Sequence, residues 1–287
     1  MTKQPTFRLT FSCPDQPGIV AQVSGFLFNQ GANILSARQH RDNERNQFFM
    51  RVVFGFASER SVPKAFRSDL ELLGQTLDLD WKLTDRRVKK RVLIMVSKFD
   101  HCLGDLLYRM RIGELDMDVV GIVSNHPKTA LNIKNFGDIP YHHLPITKAT
   151  KPQQETQIRE LIETTETELV VLARYMQILS NDFAQYLSGR CVNIHHSFLP
   201  GFKGAKPYHQ AYRRGVKMIG ATAHFVTADL DEGPIIAQDV EQSSHVDRPK
   251  DLVRKGRSIE QRVLSRAVTY LLEDRVLLNG NRTVVFD

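Results

Sequence analysis

Three continuous apolar runs of strand length constrain the fold most: Val92-Leu-Ile-Met-Val96, Val119-Val-Gly-Ile-Val123 and Leu169-Val-Val-Leu-Ala173. A strand with one wet face alternates apolar and polar residues. Unbroken runs belong to strands covered on both faces, as in a parallel sheet. Helical segments expected at about 104–113 and 153–165 lie between the runs, and this alternation argues a doubly wound α/β sheet. Functional groups in such sheets sit on loops at the strand carboxyl ends. If 191–194 is the next strand, Asn193 and His195 fall there. Further on, 220–238 reads as strand, loop, strand, and 249–273 as a helix with Leu252, Val253, Ile259, Val263, Leu264, Ala267 and Leu271 on its apolar side. The segment 276–286 reads as a hairpin turning at Asn279-Gly280.

The first 85 residues follow a different pattern. Phe7 to Phe11 alternates, as a strand with one buried face would. Asp15-Gln-Pro-Gly18 opens an amphipathic helix carrying Ile19, Val20, Val23, Phe26 and Leu27, which Gly31 is placed to end with a left-handed cap. Strands at 32–39 and 47–54 flank a polar turn over 41–46. A second helix from near Pro63 to Leu73 and a strand at 79–83 complete a ferredoxin-like βαββαβ order. Residues 86–91, Arg-Arg-Val-Lys-Lys-Arg, are expected to be a solvated basic linker, and 92–287 the second domain.

The net charge of +7, from 39 Lys and Arg against 32 Asp and Glu, decides little, because the basic residues are dispersed. A nucleic-acid partner is not expected; a polyanionic small substrate suits the charge equally well. Three scattered cysteines, Cys13, Cys102 and Cys191, fit a reduced cytoplasm rather than a disulfide framework or a zinc knot. No apolar run approaches the length of a membrane span, and the N-terminus lacks the apolar core of a signal peptide.

Candidate chemistry centres on Cys191-Val-Asn-Ile-His-His-Ser-Phe-Leu-Pro200 and His224-Phe-Val-Thr-Ala-Asp-Leu-Asp-Glu-Gly-Pro234. Attack on an acyl carbon places negative charge on the carbonyl oxygen. In an extended Asn193-Ile-His195, alternation puts an amide and an imidazole donor on one face. Asp231 can accept a proton from water and hold His195 as a cation. Other readings stay open: a metal held by His195, His224 and Asp231; a Ser197–histidine nucleophile pair, for which the two-residue spacing is poor; or a satisfied buried His195 with Asp231 as a loop cap. Adjacent His195 and His196 should point to opposite faces if extended, which disfavours their sharing an ion; no metal is expected.

Two resemblances sharpen this reading. Asp15-Gln-Pro-Gly-Ile-Val20 with Gly31-Ala-Asn-Ile34 is similar to the ACT domain, a regulatory module that often binds amino acids. That resemblance implies an effector site lined by Gly18 and Asn33, and a homo-oligomer. Either residue could instead serve only its turn or cap. The stretches Leu169–Leu179, Asn193–Pro200 and Gly220–Pro234 resemble the folate-dependent formyltransferase family, over about residues 90 to 270. Carried over by position, the resemblance implies a Rossmann-like domain with a mostly parallel sheet and Asn193, His195 and Asp231 as the catalytic trio. It also implies a pterin pocket lined by Leu172, Met176, Gln177, Leu179 and Val226. No prosthetic group is expected.

Members of this family that formylate glycinamide ribonucleotide carry a Ser-Gly-x-Gly-Ser-Asn loop whose backbone cradles phosphate. Here the position reads Ser97-Lys-Phe-Asp-His-Cys-Leu103, without glycine and with a carboxylate. His196 replaces the usual proline, and an ACT-like module precedes the catalytic domain. These features resemble the formyltetrahydrofolate deformylases, which release formate and tetrahydrofolate from 10-formyltetrahydrofolate. His196 would lie at the substrate, where it either holds the attacking water or packs. The expectation is a cytoplasmic hydrolase that supplies formate for purine synthesis and balances one-carbon folate pools. Formyl transfer to an amine, or amino-acid sensing without turnover, are the alternatives.

Overall fold

In the computed structural model, residues 6–56, 62–201 and 207–287 are described. They divide into two units, one comprising the residues up to Lys89 with 273–279 and 284–287, the other 90–272 with 280–283.

The first unit runs β1 (Thr6–Pro14), α1 (Ile19–Asn29), β2 (Ala32–Asp42), β3 (Gln47–Phe56), α2 (Phe66–Leu77) and β4 (Asp80–Asp85). Its antiparallel sheet has the order β2-β3-β1-β4, the ferredoxin-like arrangement. Gly31, at φ +72°, ends α1 as expected. Strand β2 runs on to Asp42, so the turn shrinks to 43–46. Asp42 Oδ1 accepts the Glu44 and Arg45 amides, turning the chain, while Arg41 and Asp42 pair with Phe48 and Gln47. Helix α2 likewise extends four residues beyond the expected end.

An aromatic cluster fills this core. Phe54 stacks on Phe66 at 5.5 Å between centroids, Phe26 meets Phe66 at 5.0 Å, and Phe7 and Phe56 pack edge-on. The expected single buried face of β1 is corrected: Arg8 and Thr10 are buried too, along with Phe7, Leu9 and Phe11. The cause lies 266 residues away in sequence. Residues 273–279 cover the second face; Asp274 pairs with Arg8 at 3.2 Å, and the Glu273 carbonyl accepts Arg51 Nη2 at 2.9 Å. Alternation along β1 cannot announce a partner so distant.

The second unit runs β5 (Lys90–Val96), α3 (His101–Arg111), β6 (Met117–Ser124), β7 (Tyr141–His143), α4 (Lys151–Thr164), β8 (Leu169–Leu172), α5 (Asn181–Tyr186), β9 (Cys191–His195), α6 (Pro207–Arg214), β10 (Met218–Phe225), β11 (Ile235–Gln242) and α7 (Pro249–Leu272). The seven-stranded sheet has the order β11-β10-β9-β8-β5-β6-β7, parallel from β9 to β7 with β10 and β11 antiparallel. The apolar runs form its centre: Val92 to Val96 and Val170 to Val171 are fully buried. Lys90 and Arg91 belong to β5 rather than to a solvated linker. Lys90 is buried with its Nζ on the Leu271 carbonyl, and Arg91 Nε reaches the Thr165 carbonyl.

The chain ends in the hairpin β12 (Val276–Asn279) and β13 (Arg282–Val285). Its turn falls one residue later than expected, on Gly280-Asn281, with Gly280 at φ +61°. Asn279 is held in β12 because its amide, buried, donates to Asp42 Oδ2 at 2.6 Å.

Because Phe66 is fully buried among rings, Phe66→Ala should destabilise the first unit by about 3–5 kcal/mol. Urea unfolding followed by Trp81, the only tryptophan and located in β4, reads this directly. A loss under about 1 kcal/mol would contradict the packing.

Candidate active site

Strand β9 ends in the middle of the sheet, between β8 and β10, so its last residues open onto the carboxyl edge. Register places Asn193 opposite His224 and His195 opposite Thr222 on the antiparallel neighbour β10. Asn193 and His195 share one face, as two-residue spacing requires. The loop from Val226 to Pro234 returns over them. It is pinned by the Phe225 amide on the Pro234 carbonyl at 2.9 Å, and Gly233 is needed there, since a Cβ would lie 1.8 Å from the Phe225 oxygen. Asp231, at the loop's turn, adopts φ +58°, a conformation that costs a non-glycine residue energy and here aims its carboxylate inward.

The trio therefore meets. His195 Nδ1 lies 3.2 Å from Asp231 Oδ1, and His224 Nε2 lies 3.7 Å from the same oxygen. A carboxylate only accepts, so His195 carries a proton on Nδ1 and presents Nε2 elsewhere. That Nε2 is buried with no hydrogen-bond partner. His224 donates from Nδ1 to the Phe225 carbonyl at 2.8 Å, leaving Nε2 to accept from Asn193 Nδ2 at 3.3 Å. The Asn193 amide keeps a second N–H. Both ring nitrogens of His224 are thus engaged in positioning, which removes it from the metal reading. Burial alone would raise the Asp231 carboxyl, but the contact from His195 outweighs it and holds the group well below the usual carboxylate range.

Asn193, His195 and Asp231 open into a cavity of about 700 Å³. Leu172, Met176, Gln177, Leu179, His196 and Val226 all line it, so every residue expected at the substrate is brought to one place. Met176 is half-exposed, as a cavity wall rather than a core residue would be. Gly18 and Asn33 belong to the first unit: Gly18 starts α1 at φ +88°, and Asn33 is exposed in the edge strand β2 rather than at a helix end. Ser197 Oγ donates to the Gly201 carbonyl, away from a nucleophile's role. His196 departs from expectation. It lies just past β9, and its ring sits 5.2 Å from that of His195 instead of on the opposite face.

A second polar group lines the same cavity and was not foreseen. Glu260 of α7, 1% exposed, accepts Tyr208 Oη at 2.7 Å on one oxygen and pairs with His101 Nε2 at 2.8 Å on the other. Arg174 Nε lies 3.3 Å from that second oxygen, close enough to ion-pair but off the line of a hydrogen bond. Burial alone would raise the Glu260 carboxyl; His101, Arg174 and Tyr208 together hold it below its ordinary value. The signal in sequence was Gly256 four residues before Glu260, on the helix face that carries Leu252, Ile259 and Val263. Gly256 makes room for Tyr208, whose ring would lie 2.1 Å from any Cβ. Among the described residues, His101, Cys102 and Glu260 are the one His, Cys and carboxylate group whose donor atoms gather within 4.8 Å. With Arg174 against the carboxylate and burial pushing the Cys102 thiol well up, this group is built as an ion pair, not as a cation site.

The loop after β5 is closed by its own side chains. Ser97 Oγ donates to Asn125 Oδ1 and accepts the Met176 amide, and Asp100 accepts Asn132 Nδ2 and the Ile133 amide.

A formyl transferase family model matches residues 90–268, and an ACT domain model residues 7–68. The formyltetrahydrofolate deformylase of Corynebacterium sp. (strain P-1) is 51% identical over 285 residues, covering 99% of each chain. The chain belongs to the formyltetrahydrofolate deformylase family. The crystal structure of the family member from Burkholderia mallei superposes with a TM-score of 0.93 at 50% identity, covering 99% of this chain and 100% of that one. Glycinamide ribonucleotide transformylase 1 from Symbiobacterium toebii gives 0.62 at 28% identity and covers 69% of this chain and 95% of its own. The deformylase family thus shares this chain's full length, and the transformylase shares part of it.

The Asp231 geometry has a consequence for stability. Its folded-state value lies below the unfolded one, so its contribution is complete above about pH 4 and is lost as pH falls through the folded-state value. Asp231→Asn should therefore melt below the wild type at neutral pH, with the gap narrowing as pH drops below about 4. A gap that stays constant in thermal melts across that range would contradict an ionised Asp231 in the folded state.

Proposed function

We propose that this chain hydrolyses 10-formyltetrahydrofolate to formate and tetrahydrofolate. One observation carries the reading: a buried, unpartnered His195 Nε2 beside an amide N–H of Asn193, with Asp231 behind it, in a cavity of the right size for a pterin. Water attacks the formyl carbon and passes a proton to Asp231, directly or through a second water. The carbonyl oxygen takes up negative charge and accepts hydrogen bonds from Asn193 and from protonated His195. Collapse breaks the C–N10 bond, the proton that Asp231 took from the water passes to N10, and formate leaves. No group besides these side chains and water is needed. The pterin lies among Leu172, Met176, Gln177, Leu179 and Val226.

Hydrolysis is favoured over transfer to a phosphorylated amine because the loop at Ser97–Asp100 has the side chains of Ser97 and Asp100 engaged, places a carboxylate there and offers no glycine backbone. The formate would supply purine synthesis and balance one-carbon pools. Cys13, Cys102 and Cys191 are free and buried, which fits the cytoplasm; among the described residues no helix is long and apolar enough to cross a membrane. The ACT-like unit, with β2 at a sheet edge, is proposed to join copies into a homo-oligomer and to take an amino-acid effector near Gly18 and Asn33.

Purified protein given 10-formyltetrahydrofolate without an amine should release formate. Asn193→Ala should slow this by about 10²–10³-fold and Asp231→Asn by about 10²–10⁴-fold, with the fold retained. Formate released at near-normal rate by Asp231→Asn would overturn the mechanism. Formyl recovered only on an added amine would make the chain a transferase. Calorimetry with millimolar amino acids should show one that binds, and Gly18→Ala should weaken it; no binding by any would leave the unit an assembly device.

A further inference from the structure

Glu260 is engaged on both oxygens by its own neighbours. Tyr208 occupies one oxygen, and His101 with Arg174 the other, with Arg174 also facing the Phe99 ring at 5.8 Å. These side chains come from α3, α6, α7 and the turn after β8, so they form a wall braced from four sides. Gly256 lets Tyr208 seat against α7, and Tyr208 in turn faces the His196 ring at 6.3 Å. The next ring along is His195, at 5.2 Å. A chain of contacts thus leads from the reacting centre through His196 into the wall. Among the described residues, the His196 ring takes part in no hydrogen bond, and it lines the cavity.

We propose that His196, seated against the wall around Glu260, holds the attacking water and fills the space that an amine acceptor would need. This rests on the hydrolysis proposed above. A water must present a lone pair to the formyl carbon while giving its two hydrogens to acceptors. Asp231 supplies one acceptor and a neutral imidazole nitrogen the other. Burial, then the Arg174 cation, pushes the His196 imidazolium down to about 4, so the ring is a lone-pair acceptor at neutral pH. The fixed charges of the wall are balanced between Arg174 and Glu260, which leaves nothing to draw in a charged amine. Acceptor choice is therefore built into the wall and not only into the missing phosphate loop.

Three variants of the full-length enzyme test this. His196→Phe keeps a ring of similar size but cannot accept a hydrogen bond. It should lower kcat for formate release on the order of 10²-fold while KM for 10-formyltetrahydrofolate stays within about threefold. His196→Gln, which can accept, should recover part of that loss. His196→Ala opens the space, so added hydroxylamine should attack the formyl carbon and give N-hydroxyformamide and tetrahydrofolate, a product the wild type should not form. A His196→Phe enzyme as fast as wild type, a parallel loss in all three variants, or no N-hydroxyformamide from His196→Ala would overturn the proposal. Absence of formate from the wild type itself would instead overturn the hydrolysis on which it rests.

Discussion

The contact between His195 Nδ1 and Asp231 Oδ1 fixes which nitrogen of His195 faces the cavity, and much of the second unit serves to hold it. Strand β9 supplies the histidine from the centre of the sheet, where backbone position is rigid. The carboxylate comes from a loop, and loops drift unless tied. Gly233 packed against the Phe225 carbonyl and the left-handed backbone of Asp231 tie this one. Between the two elements, His224 spends one nitrogen on the Phe225 carbonyl and the other on Asn193, so strand, loop and amide are locked through one ring.

The site holds two carboxylates, a buried Glu260 and a half-buried Asp231, with different partners. Asp231 meets His195, lies beside His224 and keeps a side toward the cavity, suited to accepting a hydrogen bond from water. Glu260 is engaged by a phenol, an imidazole and a guanidinium, suited to holding shape. Removing Arg174 would leave a buried charge without its cation, which makes the wall depend on that pair. His196 stands where the two networks meet. Its position relates a substitution in the β9 loop to a glutamate some sixty residues later.

Periodicity reveals what is repeated along the chain and misses what is brought from afar. The buried parallel strands were legible because Val92 to Val96 carries no polar break. Asn193 and His195 were legible as a pair because strand spacing alone puts them together. Their link to Asp231, and the pocket residues from Leu172 to Val226, came from resemblance. The second covered face of β1 was not legible, since Asp274 lies 266 residues beyond Arg8. The turn at Gly280 moved for the same reason: Asn279 is claimed by Asp42. Glu260 reads as one more charged residue on a charged helix until Gly256 and Tyr208 show which face is inward. His196 was placed at the substrate by resemblance, but the direction of its ring was not legible, because alternation does not continue past the end of β9.

The oxyanion site depends on the protonation pattern of His195, which 15N spectra of the histidine-labelled protein report directly. At neutral pH the His195 Nδ1 should carry a proton, with the chemical shift of a nitrogen donating to a carboxylate, and should lose that signature in Asp231→Asn. A bare Nδ1, with the proton on Nε2 alone, would contradict the orientation from which the oxyanion site and the attack geometry are derived.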